Sequence, residues 1–102
     1  MILEMAILNV EVDRCFKFEQ SFAQAQAILP SMPGYCSHQL HRCVEVHGNY
    51  LLIIRWNRLE DHTIGFRQSP QYQHWRALLH QFYKPFPVVE HFEAVCGLGD
   101  GG

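Results

Sequence analysis

The stretch Tyr50-Leu-Leu-Ile-Ile-Arg-Trp56 constrains this chain more than any other. It reads as a β-strand, and successive residues of a strand face opposite sides of the sheet. Leu51 and Ile53 therefore point one way, Leu52 and Ile54 the other. A strand that is apolar on both faces must be covered on both. In a small domain the helices cover one face. The other needs a partner, or it leaves a contiguous apolar patch in water. A second copy of the same sheet is the simplest cover, which predicts an isologous homodimer with sheets packed face to face. The row Leu52, Ile54 and Trp56 is assigned to the helices, and Leu51, Ile53 and Arg55 to the partner sheet.

The remaining elements follow from periodicity and from start and stop signals. Residues 1–12 read as the first strand. Asp13 is placed to cap a helix over Arg14 to Leu29, in which Phe18, Phe22, Ala25 and Leu29 recur at helical spacing. Pro30, Pro33 and Gly34 end it. The second strand runs from Tyr35 to Val46, and His47-Gly48-Asn49 makes a hairpin turn into the third. Asn57, with Glu60 three residues on, resembles a capping box for a short second helix, Arg58 to Phe66. Ser69-Pro70 is a second start signal, a capping hydroxyl followed by proline at the first helical position. Tyr72, Trp75, Leu79 and Phe82 form the apolar stripe of that third helix, Pro85 and Pro87 stop it, and Val88 to Val95 is the fourth strand. The order β-α-β-β-α-β with one added short helix predicts an α+β, ferredoxin-like domain. It spans residues 1–96, with a Gly-rich tail at 97–102.

Composition narrows the function. The chain has 102 residues, enough for one domain. Of these, 48% are hydrophobic and 13% aromatic. That is generous for a domain able to hide only roughly 60–70% of its unfolded surface, and it again points to burial against a second subunit. The formal net charge is -2 with no basic run, which argues against nucleic acid, whose phosphates need a basic face. No apolar stretch approaches the roughly 20 residues that span a bilayer. The first twelve residues carry Glu4 and Glu11 without a basic leader, so they do not read as a signal peptide. Cys15, Cys36, Cys43 and Cys96 have irregular spacing and no CxxC pair. They read as reduced, buried thiols of a cytoplasmic protein. No metal-ligand set at standard spacing and no Gly-rich phosphate loop is present.

The segment from Tyr50 through Arg55-Trp56-Asn57-Arg58 and Phe66-Arg67-Gln68-Ser69-Pro70 to Tyr72 resembles the central stretch of the antibiotic biosynthesis monooxygenase family. The turn Met32-Pro33-Gly34-Tyr35 and the run Phe82 to Phe92 fit the same pattern, so the resemblance extends over residues 2 to 95. It implies a dimeric α/β barrel built from two ferredoxin-like units. It also implies a cofactor-free oxidoreductase, since the family's better understood enzymes oxidise electron-rich aromatic polyketides without flavin or metal. A deprotonated phenol or hydroquinone can hand an electron to dioxygen directly. The protein then needs a dry pocket, a proton acceptor and correct orientation.

Carried over residue by residue, the resemblance assigns Trp56, His62 and Phe66 to the places of a tryptophan, a tyrosine and a further aromatic in the antibiotic-tailoring branch. His62 is the one candidate for proton transfer, because an imidazole of ordinary pKa near 6.5 accepts a proton at neutral pH. Its alternative reading is a solvent-facing residue of a short amphipathic helix. Leu52 replaces that branch's asparagine. Among the other histidines, His38 is singled out because the second strand borders the expected pocket, and Asn9 is the polar candidate on the first. The pocket is expected between sheet and helices, lined by Leu52, Trp56, Phe66, Tyr72, Trp75 and Leu79. The branch that degrades heme is excluded, since its iron-ligating histidine falls on Arg76, which cannot ligate. Two classes of function remain beside the monooxygenase: a non-catalytic dimeric module that binds or senses a small apolar or aromatic molecule, and an isomerase of a small carbonyl compound.

Overall fold

In the computed structural model, which describes residues 1–96, four strands form one antiparallel sheet in the order β2–β3–β1–β4. They are β1 (Ile2–Asn9), β2 (Tyr35–Arg42), β3 (Asn49–Trp56) and β4 (Val89–Phe92). Helices α1 (Cys15–Ala25) and α2 (Pro70–Leu79) complete a ferredoxin-like α+β fold. The Gly-rich tail lies outside the described residues. No helix among them is long and apolar enough to cross a membrane.

The two-sided apolar strand β3 sits inside the sheet, between β1 and β2. Its row Tyr50, Leu52, Ile54 and Trp56 is buried, while Leu51, Ile53 and Arg55 on the other face are only half-buried. On β1 the buried row is Glu4, Ala6 and Leu8. Phe18, Phe22 and Ala25 of α1, with Leu29 beyond it, close over these rows, as do Trp75 and Leu79 of α2. The helical spacing of the stripe thus becomes one buried face.

The helix ends differ from expectation where local hydrogen bonds override a residue's usual preference. Asp13 lies within a 3₁₀ turn, Val12–Arg14, and caps nothing; α1 starts at Cys15 without a side-chain cap. Beyond Ala25 the chain tightens to 3₁₀ geometry over Gln26–Ser31, which contains Pro30. β2 ends at Arg42 rather than Val46, because the chain needs a longer loop to reach Gly48, whose φ is +94°. The Gly48 carbonyl accepts from the Val10 amide at 2.8 Å. Asn57 does not cap the short helix either: its Oδ1 accepts from Cys36 Sγ at 3.1 Å, while Asp61 Oδ2 takes the Arg58 amide at 3.0 Å. That helix is a π-helical turn, Asp61–Phe66. Ser69 does cap α2, accepting from the Tyr72 amide at 3.2 Å, with Pro70 in the first turn. β4 is shorter than the apolar run suggests, and Val95 is exposed. Of the cysteines only Cys15 is buried, and all four are free; Cys36 stands at a bulge of β2 and is exposed.

Gly34 joins the turn before β2 to the π-helical turn. Its φ is +84°, and an added Cβ would overlap the Asp61 carboxylate. Gly34→Ala should therefore cost about 1–3 kcal/mol in equilibrium urea unfolding. An unchanged midpoint would show that the turn can relax freely.

Candidate active site

The inward row of β1 begins with an acid. Glu4 is only 6% exposed, although its neighbours in the row are Ala6 and Leu8. Antiparallel pairing sets Glu4 opposite His91 of β4 and beside Ile54 of β3. A buried carboxyl must be hydrogen-bonded or neutral. Trp56, at the end of β3, supplies one bond, its Nε1 donating to Glu4 Oε1 at 2.8 Å.

The π-helical turn brings the next group. Its wide winding is closed by the Arg67 amide donating to the His62 carbonyl at 3.1 Å, five residues back. That winding sets both His62 and Phe66 against the Trp56 indole. His62 lies nearly parallel to it, with ring centroids 5.9 Å apart and planes at 18°. His62 is 3% exposed, so it is not the solvent-facing residue of an amphipathic helix. Its Nε2 lies 3.4 Å from Glu4 Oε1, and its Nδ1 shares a hydrogen bond of 2.8 Å with His91 Nε2. A row of three groups, Glu4, His62 and His91, thus leads from a buried carboxyl to a half-buried histidine. Such a row can pass a proton from one end to the other.

Glu4 and His62 form part of the wall of a cavity of about 240 Å³. Ala6, Leu8, Leu52 and Val89 contribute from the sheet, and Phe66, Arg67, Tyr72 and Trp75 from the π-helical turn and α2. His80, Tyr83, Phe86 and Pro87 close the remaining side. The volume falls just under the usual range of about 300–1,000 Å³ for small-molecule sites. One or two fused rings fit such a space.

Burial pushes the Glu4 carboxyl up to about 7, with the Trp56 hydrogen bond and the Arg67 guanidinium pulling the other way. Burial pushes the His62 imidazolium down to about 3, helped by Arg67 and His91. His91 is lowered as well, by burial first and Arg67 second. At neutral pH His62 is therefore uncharged, and Glu4 is the group poised to gain or lose a proton. The sequence assigned the proton acceptor to His62; the electrostatics favour Glu4.

The residues expected to meet here separate into three groups. Leu52, His62, Phe66, Tyr72 and Trp75 line the cavity together. Trp56 and Leu79 lie behind its wall, at 0% and 1% exposure. Asn9 and His38 lie elsewhere. Asn9 has odd parity on β1, so it faces the opposite side of the sheet from Glu4 and is exposed. His38 faces the helices, but near Phe22, where Tyr35 hydroxyl and Gln26 Oε1 take its two nitrogens at 2.5 and 2.8 Å. Sequence reasoning missed Glu4, His91, Arg67, His80 and Tyr83. Glu4 carried a signal, an acid in the same strand row as Ala6 and Leu8. His91 had none without the pairing register.

The raised carboxyl has a measurable consequence. A carboxyl whose pKa rises from 4.5 to about 7 on folding stabilises the fold below pH 4.5 and loses that contribution as pH climbs to 7. An imidazole lowered from 6.5 to about 3 does the reverse: its contribution is complete above 6.5 and is lost as pH falls toward 3. The two slopes oppose each other between these ranges. Glu4→Gln removes the first and leaves the second. The stability of Glu4→Gln relative to the unchanged protein should therefore rise by about 3 kcal/mol from about pH 4 to pH 8. Urea unfolding across that range measures it, and a constant difference would contradict the raised pKa.

Comparison with known proteins agrees with this architecture. The family model described as antibiotic biosynthesis monooxygenase matches residues 1–78. YczJ of Bacillus subtilis, an uncharacterised protein, is 50% identical over 95 residues, covering 93% of this chain and 100% of YczJ. A solved structure of the antibiotic biosynthesis monooxygenase type from Bordetella bronchiseptica is 33% identical, with a TM-score of 0.88 over 93% of this chain and 97% of that one. SnoaB of Streptomyces nogalater, a cofactor-independent oxygenase, shares the fold at a TM-score of 0.81 and 20% identity, over 95% of each chain. The chain belongs to the antibiotic biosynthesis monooxygenase family.

Proposed function

We propose that this protein is a cofactor-independent monooxygenase acting on a small electron-rich aromatic or quinol, with Glu4 as its base. The observation that carries this reading is a carboxyl of pKa about 7 buried in the wall of a cavity lined by aromatic, aliphatic and a few polar side chains. Such a group is half ionised at neutral pH and is matched to taking a weakly acidic proton. The carboxylate removes a proton from the bound aromatic, and the resulting anion is electron-rich enough to reduce dioxygen. In the net reaction one oxygen atom enters the substrate, the other leaves as water, and the substrate supplies both electrons and both hydrogens. His62, uncharged and stacked on Trp56, relays the proton from Glu4 toward His91 and water instead of storing it.

The test is oxygen uptake with a panel of one- and two-ring dihydroxy-aromatics. Glu4→Gln should lower turnover by about 10²–10⁴-fold, the usual range for general-base assistance. The remaining rate should lose its dependence on pH near 7. A panel that leaves oxygen uptake unchanged, or a Glu4→Gln protein as fast as the original, would defeat the proposal.

The same reading includes a homodimer. The sheet face away from the helices carries half-buried Leu3, Met5, Leu51 and Ile53, with Ile7 and Phe92 51% and 47% exposed. A second sheet would cover this patch, and a stable contact needs roughly 1,000 Å² or more. Four free thiols suit a reducing compartment such as the cytoplasm. Light scattering should give twice 11.9 kDa at micromolar concentration. Ile53→Glu, which puts a charge into that contact, should dissociate the pair or unfold the protein. A monodisperse monomer, or an intact dimer with Ile53→Glu, would exclude this face as the interface.

A further inference from the structure

Tyr83 follows α2 and is fixed by a backbone bridge to Val10 at the end of β1. It is only 6% exposed, its ring packed near Phe18, His80 and Phe86 at centroid distances of 6.3, 5.5 and 6.5 Å. It lines the same cavity as Glu4. Among the described residues no protein group hydrogen-bonds to its hydroxyl, yet no buried side-chain oxygen is sealed without a partner. The two facts agree if the hydroxyl keeps some open surface, and the cavity is the space that Tyr83 lines. Burial, Tyr72 and Glu4 all hold it protonated, well above the ordinary phenol range, so it remains a donor. A buried polar group with no partner is costly. One that faces a cavity beside an acid–base pair is placed to meet a ligand's acceptor.

We propose that the Tyr83 hydroxyl donates a hydrogen bond to an oxygen of the substrate while Glu4 removes the conjugated proton. This rests on the reading of Glu4 as base and narrows the substrate class. The compound is a one- or two-ring ketone, or its enol or phenol tautomer, with an acidic C–H or O–H conjugated to the anchored oxygen. In the first step a C–H bond breaks and the proton passes to the Glu4 carboxylate. The electron pair moves through the conjugated system onto the oxygen, and Tyr83 donates to the enolate so formed. No oxidant takes part, and the reverse step returns a proton drawn from solvent. The cavity therefore exchanges the acidic protons of such a ketone with water in the absence of oxygen.

The experiment is anaerobic exchange of 2-tetralone in deuterated buffer, followed by proton NMR, with the intact protein, Tyr83→Phe and Glu4→Gln. The intact protein should accelerate loss of the acidic protons over buffer. Tyr83→Phe should be slower by about 10²–10³-fold, the usual loss when one donor to a developing oxyanion is removed. Its thermal midpoint should stay in place, because the phenyl ring keeps the packing and the hydroxyl has no protein partner to lose. As a second readout, 2-naphthol should quench tryptophan fluorescence, and Tyr83→Phe should weaken its binding about tenfold. Equal exchange rates and equal naphthol affinity in the two proteins would overturn the Tyr83 assignment and leave Glu4 as base. No exchange by the intact protein would overturn both.

Discussion

A carboxylic acid in an otherwise apolar strand row is the constraint around which this site is arranged. Glu4 is almost wholly buried, so its neighbours must either share its proton or hydrogen-bond its charge. Trp56 donates from the end of β3, His62 approaches from the π-helical turn, and His91 stands opposite on β4. Three strands and one irregular turn therefore converge on a single carboxyl. Burial raises its pKa to about 7, and the same burial keeps His62 uncharged. A site of this kind needs no charge imported from elsewhere. It generates one negative charge, in a buried wall, at the pH where proton transfer is useful.

The π-helical turn is the local device that makes the arrangement possible. With regular α geometry, His62 and Phe66 would be wound differently over the end of β3. The extra residue in the turn places both rings against Trp56 and leaves Arg67 facing the cavity. Bulges of this type often accompany functional sites, because they trade regular hydrogen bonding for the aim of a side chain. Gly34 and Asp61 secure the turn from below, which links the chain reversal before β2 to the placement of His62.

Much of the scaffold was legible in the sequence because it depends on periodicity. The Phe18, Phe22, Ala25, Leu29 stripe, the two-sided β3 and the Ser69-Pro70 start all describe local rules that the fold obeys. The resemblance of the central stretch led to the right family and brought Leu52, His62, Phe66, Tyr72 and Trp75 onto one list. What escaped depends on register. Glu4 and His91 meet only because β4 returns antiparallel to β1, and no spacing along the chain encodes that pairing. Asn9 was one residue out of parity, which on a strand means the other face. His62 was misjudged as a possible surface residue because a π-helical turn has no residue pattern of its own. Tyr83 fell within the stretch expected to be the third helix, whereas α2 ends at Leu79 and Tyr83 bridges to Val10.

The proposed chemistry depends most on the state of one proton. Carbon-13 NMR of the side-chain carboxyls, titrated from about pH 3 to pH 9, tests it directly, with the Glu4 signal assigned by its disappearance in Glu4→Gln. A midpoint near 7 is the predicted result. A midpoint at the ordinary carboxyl value of 4.5 would mean that Glu4 is fully ionised at neutral pH, too weak a base for the chemistry assigned to it.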